Sequence, residues 1–189
     1  MSITTIVKQF SNDFNNFFIS DYIIDKDDVN IIFNSIQKYS IKNPMIKINI
    51  IELNMSENVM KEDKKTFVSS FTILNKNMLH VFEGGKWELF DKLEIENCQI
   101  LILNEDNLNN NQLDNNQLDN NQLDNNQLDN NQLDEWLENC ITMKELYNVT
   151  DEGKICLTSG FGPGIYKLIG QRKGDELIAI KMEFIKEHV

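Results

Sequence analysis

The run Ser159-Gly160-Phe161-Gly162-Pro163-Gly164-Ile165-Tyr166 carries three glycines at alternate positions, the kind of spacing that lets backbone N–H groups approach an anion. A dinucleotide or phosphate loop needs a helix after its glycines, whereas Ile165 to Gly170 alternates as a strand and no Gly-Lys-Ser/Thr follows. The run is therefore expected to be a loop between two strands. Ligand contact through Gly160, Gly162, Gly164 and Tyr166, helped by Trp87 and His80, is its alternative use.

Other chemistry is sparse. The two histidines are His80, in an apolar stretch that reads as a strand, and His188 near the last residue, so any Ser/His/Asp or Cys/His system would have to use His80. Cys98, Cys140 and Cys156 form no C-x-x-C, and there is no H-E-x-x-H, so neither a zinc site nor a redox pair is expected. The stretch Asp25-Lys-Asp-Asp-Val-Asn30 hints at calcium, but Val29 falls where an EF-hand needs an oxygen ligand and Asn30 where it needs glycine. It reads as a helix cap. No catalytic residue, metal site or cofactor is assigned, and the absence of a catalytic motif leans against an enzyme without deciding it.

Charge narrows the partners. The formal net charge is −12, and five of those charges are the aspartates of a repeat. With a single arginine, Arg172, the surface suits neither a phosphate backbone nor an anionic lipid face, so neither nucleic acid nor membrane is expected, and another protein is the expected partner. No apolar run has the length of a bilayer span, and the first residues lack the pattern of a signal peptide, which implies a cytoplasmic protein. The 27 asparagines and single alanine fit an AT-rich genome, which weakens any functional argument from abundant Asn.

These residues need elements to position them. Ile3, Ile6, Val7, Phe10, Phe14, Phe17 and Phe18 recur at spacings of three and four, which predicts an amphipathic helix over 3–18. A second helix is predicted over 28–40 from Val29, Ile32, Phe33, Ile36 and Tyr39, ended by Pro44. From Met45 the period changes to two, and 45–103 reads as an antiparallel meander that includes MLHVFE as a strand and Gly84-Gly85 as its hairpin turn. A third helix is predicted over 134–147 from Trp136, Leu137, Cys140, Met143 and Tyr147, followed by three strands. The fold class expected is α+β: a mostly antiparallel sheet, two N-terminal helices and one helix after a low-complexity insertion.

That insertion is five copies of Asn-Asn-Gln-Leu-Asp over residues 110–134. In a helix, five residues advance the chain by about 140° beyond a full turn, so the leucines spiral over the whole surface. In a strand, an odd period sends successive leucines to opposite faces. The word resembles the repeats of pentapeptide-repeat proteins, but Asn stands where that coil takes a small residue, and 25 residues make little more than one coil. The organisation expected is helices plus meander over 1–103, a disordered insertion over 104–134, and 135–189 completing the same domain.

The segment SGFGPGIYKLIGQRKGDELIAIKMEF is similar to the C-terminal end of an uncharacterised, mainly bacterial family of unknown function. Gly160, Gly162, Gly164, Tyr166, Gly174 and Phe184 carry the match, and Pro163 replaces the usual Asp. The resemblance implies a small β-rich domain without established activity. Together these readings give a cytoplasmic binding or interaction domain, with a small-molecule-binding protein or enzyme built on the glycine loop as the alternative.

Overall fold

The computed structural model describes residues 2–10, 14–25, 30–55, 64–104, 136, 139–140, 143, 145–150 and 153–185. The repeat at 110–134 and His188 lie outside them, as does most of the calcium-like stretch.

The described chain is an antiparallel β-sandwich, and the α+β expectation with three helices is wrong. Eleven strands are described: β1 (Ser2–Gln9), β2 (Asn16–Asp25), β3 (Asn30–Ser40), β4 (Pro44–Asn54), β5 (Lys64–Asn75), β6 (Glu88–Ile95), β7 (Gln99–Asn104), β8 (Tyr147–Val149), β9 (Ile155–Thr158), β10 (Gly164–Lys173) and β11 (Glu176–Glu183). A 3-10 turn (Lys76–Met78) and one short helix, α1 (Leu79–Phe82), join β5 to β6. A six-stranded sheet has the order β1-β4-β5-β11-β10-β6 and a five-stranded sheet the order β3-β2-β7-β9-β8.

Both predicted N-terminal helices are strands. The three-and-four spacing over 3–18 arises because the stripe crosses a strand, a turn and a second strand. Phe10, Phe14 and Phe17 meet at that corner, with ring centroids 4.3 Å and 5.7 Å apart along the series. Val7 is half exposed on β1, which no inward helical stripe would allow. Over 30–40, Ile31, Ile32 and Ile36 are β-branched and Asn34 and Ser35 are weak helix formers, so hairpin pairing with β2 prevails. Pro44 opens β4, a strand position where proline is tolerated.

Other local expectations also change. MLHVFE is α1 rather than a strand, entered through Asn75, whose Oδ1 accepts the Asn77 N–H at 2.9 Å. Of the stretch 134–147, Trp136, Asn139 and Cys140 are helical, Tyr147 is in β8, and several of the intervening residues lie outside the described set.

Alternating residues of the two sheets fill one core. Phe17 and Ile19 of β2, Ile100 and Ile102 of β7, and Ile155 and Leu157 of β9 face Ile46 and Ile48 of β4, Phe71 and Ile73 of β5, and Ile180 and Met182 of β11. Polar bonds tie the flanks: Lys8 Nζ on β1 donates to the Val149 carbonyl on β8 (2.8 Å), and the Glu96 N–H beyond β6 donates to buried Asp21 on β2 (2.8 Å). Each sheet also has a covered outer patch. Phe82 of α1 and Trp87 lie over Met45, Leu74 and Ala179 on the six-stranded sheet. Leu101 and Cys156 are buried yet alternate with core residues, so they belong to the outer side of the five-stranded sheet, where Gln99 Nε2 donates to the Cys140 carbonyl at 2.9 Å.

Candidate functional site

The glycine loop leaves β9 at Ser159 and enters β10 at Gly164. Its conformation is closed by its own bonds. The Gly162 N–H donates to the Ser159 carbonyl at 3.2 Å, and the Ser159 hydroxyl donates to the Gly162 carbonyl at 2.8 Å. The Tyr166 hydroxyl lies 2.6 Å from the Gly162 carbonyl and 3.1 Å from that of Ser159. Ser159 N–H donates to the Cys98 carbonyl (2.8 Å), which anchors the loop to the turn between β6 and β7. The polar groups named here thus point at one another rather than at a ligand.

Tyr166 is a donor and not a base. Burial raises the pKa of its phenol and the neighbouring Cys98 adds to that, with the bond to Ser159 pulling the other way, and the net shift is upward. At neutral pH it keeps its proton. Its ring meets Phe184 edge-on at 5.2 Å, so Tyr166 ties the loop to the end of β11.

The structure does not bring the sequence-predicted site residues together. Gly164 pairs with Ile95 of β6 and Gly170 with Glu88, so Trp87 lies at the opposite end of β10 from the loop. Six strand residues span about 20 Å. Trp87 meets Phe82 edge-on at 5.7 Å and serves the outer patch, while His80 is exposed on α1. Gly160, Gly162, Gly164 and Tyr166 form one unit; Trp87 and His80 belong to another.

The loop corner does carry an apolar surface. Phe161 at its tip is 59% exposed and Ile165 66% exposed. Phe161 meets Phe67 of β5 edge-on at 5.1 Å. On the same outer face, Phe67 pairs with Ile51 of β4, and Ile51 with half-exposed Ile3 of β1. Ile51 has no exposed surface, so this row is covered at β4, and the exposed apolar surface of the corner is Phe161 with Ile165. The next row is polar and includes Thr5, Asn49, Ser70 and Glu183 in register, joined by the bonds Thr5 Oγ1 to Asn49 Oδ1 (2.9 Å) and Asn49 Nδ2 to Ser70 Oγ (3.1 Å). Lys167 and Lys92 are cross-strand neighbours beside it, and Lys181 pairs with Glu183. Sequence reasoning missed Phe161, Phe67 and Ile165. The available signal was a phenylalanine between two glycines, a costly residue to leave at a loop tip.

No protein-family model matches the chain, and neither a curated protein nor a solved structure is similar to it. Functional argument therefore rests on the geometry. Among the described residues no group of three His, Cys, Asp or Glu is arranged to hold a metal ion, and no helix is long and apolar enough to cross a membrane.

The cysteines divide by position. Cys98 is exposed in the β6–β7 turn with φ 61°, whereas Cys140 and Cys156 are buried. Hydrogen bonding to Cys140 and then burial push the Cys156 thiol far up, so it is protonated and unreactive. With a thiol-specific chromogenic reagent, about one thiol per chain is expected to react in the native protein, and the other two only on unfolding. The time course of absorbance with and without denaturant checks this.

Proposed function

We propose that the protein is a β-sandwich recognition module that binds another protein through the outer face of its six-stranded sheet, at the glycine-loop corner. The observation that carries this reading is the pair Phe161 and Ile165, both more than half exposed, the first on a loop fixed by its own hydrogen bonds and the second at the start of β10. Exposed apolar patches rimmed by polar groups mark interaction sites, and a rigid aromatic anchor loses little entropy on binding. Exposed Glu183 and Lys167, on the outer face of β11 and β10, supply such polar groups beside it. Catalysis finds less support, because Tyr166 holds its proton and His80 is set at the other end of the sheet.

The test uses the full chain as bait in a lysate of its source cells. A Phe161→Asp/Ile165→Asp double variant, whose exposed positions tolerate charge, is expected to lose its specifically retained protein by at least about tenfold, as for hot-spot anchors. Quantitative mass spectrometry of the retained proteins reads the change. Equal retention by both baits would overturn the proposal.

A further inference from the structure

We infer that the free edge of β1 is a self-association strand, pairing antiparallel with β1 of a second copy so that two six-stranded sheets become one. Among the described residues β1 pairs with β4 alone, so within them its other edge has no strand partner. Sheets protect such edges by charge, by bulges or by shortness. Among the described residues each other edge strand has one of these devices. β6 carries Glu88, Asp91, Lys92 and Glu94, and its pairing with β10 is broken by a bulge. In the pairing of β3 with β2 the register shifts at Asp21/Tyr22, and β8 has three residues.

β1 has none of them. Its eight residues pair with β4 in unbroken register, and its one charge, Lys8, is turned inward to the Val149 carbonyl. A strand of this length offers a seam of about 27 Å.

The side chains say why a second copy fits. A two-fold axis normal to the sheet at Thr5 places Thr5 opposite its own symmetry mate and keeps each face of the sheet continuous. Ile3 then faces Val7 of the second copy, both outer-face residues about half exposed in one chain, and Lys8 faces Ser2. No like charges meet along the seam. The net charge of −12 on each chain opposes approach from a distance, so association strengthens as salt screens it.

Sedimentation velocity on the full chain tests this. The wild-type chain is expected to move from 22.1 kDa towards twice that mass as concentration rises into the hundreds of micromolar, and more readily at high salt. Thr5→Lys and Thr5→Glu are each expected to stay monomeric, because like charges meet at the axis, and their equimolar mixture to recover the dimer. The milder pair Ile3→Thr and Val7→Thr, at exposed positions, is expected to weaken association about tenfold or more. Deleting residues 110–134 is expected to leave it unchanged. A wild-type chain that stays at 22.1 kDa throughout, a charge-swap mixture that stays monomeric, or a dimer lost with the repeat would each overturn the inference.

Discussion

Phe14→Ala is expected to lower the unfolding free energy by about 3–5 kcal/mol, the usual cost of emptying an aromatic site in a packed core. Phe14 has no exposed surface; its ring lies between Phe10 and Phe17, stacked on the latter. Gly153 closes the far side, where an added Cβ would stand 2.3 Å from the Phe14 ring. Such a site cannot collapse easily, because it is walled by β1, β2 and the turn before β9. For a chain of this size the loss corresponds to a fall in melting temperature of about 10 °C or more. Val7→Ala provides the contrast: half exposed on the outer face of β1, it is expected to cost less than about 1 kcal/mol. Denaturant titration of both variants checks the difference. Equal costs would restore the helical stripe in which Val7 and Phe14 share one buried face.

Gly160→Ala is the second large effect. Gly160 has φ 61°, where a side chain costs about 1–2 kcal/mol. Its Cβ would also stand 2.8 Å from Phe184 Cβ and 3.1 Å from the Val68 carbonyl. Val68 is at the bulged end of β5 and Phe184 directly follows β11, places that can yield little, so crowding adds about 1–3 kcal/mol. A total loss of about 2–4 kcal/mol is expected, read from thermal or denaturant unfolding. Gly174→Ala separates the two causes: its φ is 62° but nothing lies within 4 Å of the added Cβ, so backbone strain acts alone and the loss should be about half as large. A Gly160→Ala chain as stable as the wild type would mean that the loop does not pack against the β5–β11 corner.

How much of this was legible in the sequence depended on whether periodicity was confined to one element. β4 and β11 alternate cleanly, and β5 does so from Phe71 onward, its bulge at Ser69 turning Phe67 to the outer face; inward residues such as Ile46, Ile48, Phe71, Ile73 and Ile180 fill the core. The stripe from Ile3 to Phe18 misled because it summed residues from β1, the corner and β2, and a corner can bring Phe10, Phe14 and Phe17 together as a helix face would. The β-branched residues Ile3, Thr4, Thr5, Ile6 and Val7 in succession were the overlooked signal for a strand. MLHVFE failed for a different reason: its Phe82 serves, with Trp87, as a cap over Met45, Leu74 and Ala179, which no local pattern distinguishes from a strand.

The candidate site divides in the same way. Gly160, Gly162, Gly164 and Tyr166 were legible as a unit because the contacts joining them span only a few residues of chain. Their distance from Trp87 was not, since it follows from the register of β10 on β6, and that register is set by long-range pairing. Exposure was equally hidden. Ile165 and Tyr166 are adjacent apolar residues at the start of β10, and only the packing of Tyr166 on Phe184 shows which of the two faces out.

Site-specific photo-crosslinking tests most directly the claim that the loop corner is the recognition surface. A benzophenone side chain is placed at Phe161 and, in a second chain, at exposed Lys38 on β3 of the other sheet, and both are irradiated in a lysate of the source cells. The account predicts one adduct of defined mass from position 161 that is competed by unlabelled wild-type chain and is absent from position 38. Equal adducts from both positions, or a competed adduct from position 38 alone, would contradict it.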